Sequence, residues 1–280
     1  MIVDSHIHIF SPSVCADRSG YLADEQFNRI YASPQAKLID CNQAMAAMND
    51  AEIDFAVAMG FPWEREDFCD EQNESLIRAY ELSKGRILPF GSVPLSCGKG
   101  IESRVQEIKN QGFAGIGEIA FYRDGITPGN LEFLKQLLDA AQKHSMPLCL
   151  HLNEPVGHHY TGKYPPALHL IYGALADFPD ATVILSHWGG GLIFYELMPE
   201  VSAALKKCYY DIAASIFLYS DAIYDIALKI AASKRILFGS DYPLVHFSRY
   251  LESIARTVAD PESKADILGG NALALLKIQE

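Results

Sequence analysis

The sequence predicts an α/β fold: a (β/α)8 TIM-type barrel with a metal site at the C-terminal ends of its strands. Three observations lead there. Apolar runs of strand length recur eight times, segments of helical periodicity separate them, and residues of metal-binding type stand where several runs give out.

Taken in order, the runs are Met1–Val3, Phe55–Met59, Ile87–Phe90, Ala114–Gly117, Leu148–Leu150, Val183–Leu185, Tyr209–Ile212 and Ile236–Phe238. Tyr209–Ile212 is the least typical, being short and carrying Asp211. Helical spacing is clearest in Leu131–His144, with Leu134, Leu137, Leu138 and Ala141 on one face, and in Asp221–Ala232, with Ile223, Ile226, Ala227 and Ile230. Stop signals agree: Gly85 follows Ser83-Lys84, and Pro147 follows His144-Ser145-Met146. Pro261–Ile278 reads as a closing helix with a Leu/Ala face. Alternating strand and helix implies a parallel sheet, and eight units suffice to close it. An open doubly wound sheet gives the same alternation with fewer strands.

At 280 residues and 49% hydrophobic, the chain can bury a substantial core, and residues 1–280 are expected to form a single barrel domain. A formal net charge of −12 argues against nucleic-acid binding, which needs clustered Lys and Arg, and favours a small-molecule substrate. The start lacks a basic region followed by an apolar signal segment, and no run approaches about 18 apolar residues, so a cytoplasmic location away from membranes is expected. Six dispersed cysteines without C-x-x-C spacing indicate neither a disulfide framework nor a zinc ribbon. Three polar stretches, Ser11–Leu38 with a short helix near Glu25–Tyr31, Phe61–Asp70 and Leu152–Pro166, are expected to overhang the C-terminal mouth, where barrel enzymes place substrate contacts.

His6 and His8 are two residues apart in Val-Asp-Ser-His-Ile-His, so on a strand they project from one face. Paired imidazoles suit a borderline cation such as Zn²⁺. Glu118 follows Gly-Ile-Gly, His151 follows Leu-Cys-Leu, His187 follows Val-Ile-Leu-Ser, and Asp241 follows Leu-Phe-Gly-Ser. Parallel strands share a direction, so these positions converge on one end of the barrel.

Val3-Asp4-Ser5-His6-Ile7-His8, His151 after its apolar run, Ser186-His187-Trp188-Gly189-Gly190-Gly191, Gly239-Ser240-Asp241-Tyr242-Pro243 and Gly270-Asn271-Ala272 together resemble the amidohydrolase superfamily, in its amidohydrolase-related branch. The resemblance spans essentially the whole chain. It implies that His6, His8 and Asp241 bind a metal, joined by His151 in one-metal members. In two-metal members an acid after strand four bridges the ions, and Glu118 stands there, with His151 and His187 on the second. Zinc is the expected metal, one or two ions per chain, with manganese as the other candidate.

The expected chemistry is hydrolysis of a small-molecule amide, lactone or ester by metal-activated water, with Asp241 as general base and acid and His187 as the second catalytic residue. The alternative is metal-dependent decarboxylation of an unsaturated or aromatic carboxylic acid, which the branch also includes. Arg65, Arg123, Trp63 and His158 are the candidate substrate contacts, because they fall in the mouth loops. Tyr122, Tyr160 and Trp188 serve either an aromatic wall or the core. A homo-oligomer is consistent with the resemblance.

Overall fold

A computed structural model describes residues 1–97, 100–231 and 233–278. Its strands are β1 (Val3–His8), β2 (Phe55–Met59), β3 (Ile87–Gly91), β4 (Gly115–Ile119), β5 (Leu148–Leu150), β6 (Val183–Leu185), β7 (Cys208–Asp211) and β8 (Ile236–Leu237). They pair in sequence order, every pair parallel. β8 is short, and the chain beyond it completes the barrel: Ser5 N donates to Phe238 O (2.7 Å), Asp241 N to His6 O (2.9 Å) and His8 N to Tyr242 O (2.8 Å). The fold is the eight-stranded β/α barrel that the alternation predicts.

Parallel strands covered on both faces need apolar residues on both, which is why the runs are continuous rather than alternating. Val3, Val57, Phe90, Cys149, Ile184 and Leu237, from six different strands, form one buried cluster. Ile116, Leu148, Leu150 and Leu185 belong to another, with Leu134, Leu137, Leu138 and Ile171 of the surrounding helices. Because side chains alternate, the face that carries Cys149 carries His151 two residues on.

The helix at Pro128–His144 starts where Thr127 Oγ1 accepts from Asn130 N (3.2 Å), with proline in its first turn, and stops at Ser145 in the left-handed conformation (φ 54°). The helix expected over Asp221–Ala232 spans Ala222–Ala231, and position 232 lies outside the described residues. The closing stretch is helical in three pieces, Pro261–Ala265, Asp266–Gly270 and Asn271–Leu276.

Two expectations need correction. β1 runs on to His8, so His6 and His8 lie on the strand itself. The apolar pattern breaks at Asp4 and Ser5, yet both are buried and bonded: Asp4 Oδ1 accepts from His6 N (2.9 Å) and Ser240 N (3.0 Å), and Ser5 Oγ donates to Phe238 O (2.7 Å). Only the first half of the stretch Phe61–Asp70 is a loop, because a helix at Glu66–Leu82 begins inside it, with Glu66 and Asp67 suited to the positive end of its dipole. Ser11–Leu38 folds into short helical turns that include Glu25–Tyr31. No helix among the described residues is long and apolar enough to cross a membrane.

Candidate metal centre

His6, His8, Glu118, His151, His187 and Asp241 converge at the C-terminal end of the barrel. Two donor groups result among these six, each with its atoms within 4.8 Å of one another: His6, His8 and Asp241, and Glu118, His151 and His187, while a third group, His6, Cys149 and Asp211, shares His6. In the first, His6 Nε2 lies 3.1 Å from His8 Nε2, and Asp241 Oδ1 lies 3.2 Å from His8 Nε2 and 3.9 Å from His6 Nε2. In the second, His151 Nδ1 lies 3.1 Å from Glu118 Oε1 and 3.0 Å from His187 Nε2. The Glu118 carboxylate stands between the groups, its two oxygens each 3.7 Å from a nitrogen of the first: Oε1 from His6 Nε2 and Oε2 from His8 Nε2.

Local backbone sets these positions. Glu118 N donates to Gly60 O (2.7 Å) and Gly60 N to Gly117 O (2.6 Å), which ties the end of β4 to the end of β2. Gly117 has φ 128°, and a Cβ there would stand 2.6 Å from Cys149 O, so only glycine fits beside β5. His187, Trp188, Ala214 and Asp241 all hold left-handed φ near the site, an uncommon and strained conformation for residues with a Cβ.

The donor set fits a divalent cation on its hydrogen bonds alone. His6 Nδ1 donates to the acceptor-only Asp211 Oδ2 (2.8 Å), which leaves the Nε2 lone pair aimed at His8 and Asp241. His187 Nδ1 donates to Ala213 O (2.9 Å), which leaves its Nε2 lone pair facing His151. Metal-binding imidazoles are ordinarily oriented by such carboxylate and carbonyl partners. His8 Nδ1 is buried without a partner, so its proton can sit there and leave Nε2 as a donor atom. His151 differs, because Asn153 Nδ2 lies 3.0 Å from its Nε2. An amide N–H directed there leaves the imidazole proton on Nδ1, where it bonds to Glu118.

Charge follows the same geometry. Burial alone would raise the Asp241 carboxyl, but the bond from His8 and the positive charge available on His6, His8 and His187 hold it below the usual carboxylate range. Burial likewise opposes ionising Glu118, and His151 and His6 outweigh it, holding its pKa well down. His6 is pushed up, because Glu118 and Asp211 overcome the burial that disfavours its cation.

Above this floor opens a cavity of about 620 Å³ with aromatic and aliphatic walls that include Ile30, Tyr31, Phe61, Tyr122, Phe217 and Leu218. His158 lies on its rim. Trp63, Arg65 and Arg123 do not line it. Trp63 is buried, stacked on Phe27 (4.8 Å between centroids), with its indole N–H on Gln72 Oε1 (3.2 Å). The Arg65 guanidinium bonds to Asp67 (2.6 and 2.9 Å), and Arg123 to Glu64 (2.5 Å) and Asp124 (2.6 Å), so local acids hold both outside. Trp188 is core, its N–H on Ser215 Oγ (2.8 Å).

Sequence reasoning passed over Asp211, which is fully buried and also accepts from His187 N (2.9 Å) and Ala213 N (3.0 Å). The signal was present: like the other site residues it ends a strand. The segments after β7 and β8, with Phe217 and Leu244, also reach the cavity without having been anticipated.

An eight-stranded parallel barrel whose strand ends gather four imidazoles and two carboxylates defines a metal-site barrel of the amidohydrolase type. A family model described as amidohydrolase matches residues 3–278, and the chain belongs to that family. Family membership supports a divalent metal as cofactor. A 6-methylsalicylic acid decarboxylase from Penicillium expansum is 32% identical over 140 residues, which cover 42% of this chain and 41% of that protein, less than half the length of either. A 5-carboxyvanillate decarboxylase from Sphingomonas paucimobilis superimposes with TM-score 0.76 at 14% identity, covering 99% of both chains. A dihydroxybenzoic acid decarboxylase from a Polaromonas species, with bound manganese and 2-nitroresorcinol, gives 0.73 at 15%, covering 100% of this chain and 97% of that one. At these identities the solved structures show the fold.

Proposed function

We propose that the protein is a metal-dependent decarboxylase of a small aromatic carboxylic acid. The observation that carries this reading is the combination of a cavity with aromatic and aliphatic walls and a floor of metal-donor atoms, and the partial sequence match to an aromatic-acid decarboxylase supports it. Hydrolysis, the first expectation from sequence, gives way to the alternative.

His6, His8 and Asp241 would hold the ion. Once bound there, a divalent cation supplies Lewis-acid attraction for the oxygens of a carboxylate and its neighbouring substituents. Ile30, Phe61 and Phe217 pack against a ring and keep water from it. In the reaction the bond between ring carbon and carboxyl carbon breaks, CO₂ leaves, and the electron pair left on the ring carbon takes up one proton. Asp241 is the group to carry that proton. It is ionised at rest, so it first accepts a proton from a substrate hydroxyl and then delivers it to the ring carbon.

One observation favours a second reading. Glu118 stands between both donor groups, as a bridging acid of a two-metal hydrolase would. Against it, the Asn153 contact leaves the His151 donor atom carrying a proton, while His6 and His8 are ready for an ion. The test is metal reconstitution with Mn²⁺ and with Zn²⁺, counting ions per chain by mass spectrometry, and assaying panels of aromatic acids, lactones and amides. One tightly held ion with release of CO₂ from an aromatic acid supports decarboxylation. Two ions with turnover confined to lactones or amides would overturn it in favour of hydrolysis.

A further inference from the structure

A third donor group lies beneath the floor of the cavity. His6, Cys149 and Asp211 are fully buried, their donor atoms lie within 4.8 Å of one another, and none of the three lines the cavity. They come from β1, β5 and β7, odd-numbered strands whose inward side chains share a layer in a barrel of this kind. The group adds what the six converging residues lack, a sulfur.

The atoms that face one another here are arranged to receive an ion. Asp211 Oδ1 accepts both backbone bonds, from His187 N (2.9 Å) and Ala213 N (3.0 Å), and Oδ2 is left to His6 Nδ1 (2.8 Å). An ion held by Oδ2, Nδ1 and the sulfur would therefore leave the turn that carries His187 undisturbed. Cys149 Sγ lies 3.2 Å from Ser186 Oγ, a hydroxyl able to donate to a thiolate. Packing fixes these positions. A Cβ on Gly239 would stand 2.9 Å from the Cβ of His6 and 3.3 Å from that of Asp211, and one on Gly117 would stand 2.9 Å from the Cβ of Cys149.

Chemistry separates this group from the one above it. His6, His8 and Asp241 offer two nitrogens and an oxygen, which suit Mn²⁺ as well as Zn²⁺, whereas a thiolate favours the softer Zn²⁺ and Cd²⁺ over Mn²⁺. A thiolate and a carboxylate together carry two negative charges, and a divalent cation cancels them, as a site closed to water requires. The two groups also share His6. Its Nδ1 can bind a lower ion only when the proton it carries moves to Nε2, the atom that faces His8 and Asp241. We propose that His6, Cys149 and Asp211 form an inhibitory site for a thiophilic divalent cation of the zinc and cadmium class, and that its occupation excludes an ion from His6, His8 and Asp241. On binding, the metal–sulfur bond forms as the thiol proton leaves to solvent, and the His6 proton passes from Nδ1 to Nε2. The site belongs to the scaffold and does not rest on the decarboxylase reading.

The probe is Cd²⁺, whose bond to a thiolate gives a charge-transfer band in the ultraviolet. Metal-free wild type, Cys149→Ser and Cys149→Ala are titrated with chelator-buffered Cd²⁺, and melting temperature together with Mn²⁺ affinity within about threefold of wild type verifies the fold and the upper site. The remaining cysteines are common to all three proteins, so the difference between titrations reports Cys149 alone. Wild type should form one more Cd–thiolate bond per chain than either variant. Saturation with Mn²⁺ beforehand should weaken the apparent affinity of that bond at least about tenfold, because the two ions compete for His6. Titrations that coincide in wild type and variants would overturn the site, and a Cys149 band indifferent to Mn²⁺ would overturn the exclusion.

Discussion

Replacing Asp211 by asparagine tests the metal centre without touching His6, His8 or Asp241. The carboxylate makes three bonds: from His6 Nδ1 (2.8 Å), His187 N (2.9 Å) and Ala213 N (3.0 Å). In Asp211→Asn the amide oxygen can keep both backbone donors, so the turn that carries His187 should hold. The amide nitrogen then replaces the acceptor facing His6, and donor meets donor. His6 escapes by moving its proton to Nε2, which removes the lone pair aimed at His8 and Asp241. Loss of such an orienting partner weakens metal binding by about 10- to 100-fold, or about 1.4–2.8 kcal/mol. Competition against a chromophoric chelator at neutral pH measures this directly, with near-ultraviolet circular dichroism to verify the fold. A folded Asp211→Asn protein that binds Mn²⁺ or Zn²⁺ within about threefold of wild type would refute the tautomer argument.

Two further predictions concern the scaffold. Glu196 is buried and joins Arg235 (2.5 and 2.8 Å) to the Tyr210 hydroxyl (2.6 Å), so Glu196→Ala should cost about 3–5 kcal/mol in urea denaturation by leaving the guanidinium uncompensated. A loss below about 1 kcal/mol would show that water replaces the carboxylate. Glu71 accepts from Ser11 (2.7 Å), Ser13 (2.6 Å) and Tyr21 (2.8 and 2.9 Å), which fastens the segment leading to Tyr31. Burial raises its pKa, but the Ser13, Ser11 and Tyr21 hydroxyls outweigh it, so the folded value is depressed. A depressed acid stabilises above its unfolded pKa, and that contribution is lost as pH falls through the folded value. Glu71→Gln should therefore be less stable by about 1 kcal/mol at neutral pH and level with wild type in acid. A gap that stays constant with pH would refute this.

The barrel was legible because burial on both faces of a parallel strand leaves a continuous apolar run, and seven of the eight runs mark their strands closely. The sequence understates β1 because what stabilises Asp4 and Ser5 lies on the neighbouring segment after β8, at Ser240 and Phe238, more than 200 positions away in sequence. The six converging residues were legible for a related reason, since one rule, polar at the C-terminal end of an apolar run, finds each of them. Applied without exception, the rule would also have found Asp211. On sequence alone that acid reads as a mark against the strand, although it is the partner that orients His6.

Substrate contacts followed no comparable rule. Arg65 and Arg123 stood in loops near the mouth, but a loop position does not say which way a side chain turns, and Asp67, Glu64 and Asp124 were near enough to take both guanidinium groups. Trp63 turned inward because Phe10, Phe27 and Phe61 give it more apolar contact than the cavity edge offers. The same cluster shapes the site indirectly. By packing Phe61 and Phe27 against Tyr31, the buried aromatics fix one wall of the cavity, so Trp63 bears on the cavity through the cluster in which Tyr31 is clamped. Trp63→Leu should therefore weaken benzoate binding to the metal-loaded protein severalfold while Mn²⁺ affinity stays within about threefold of wild type, because it loosens a cavity wall and leaves the metal donors in place. Unchanged benzoate affinity would show that the cluster supports the fold alone.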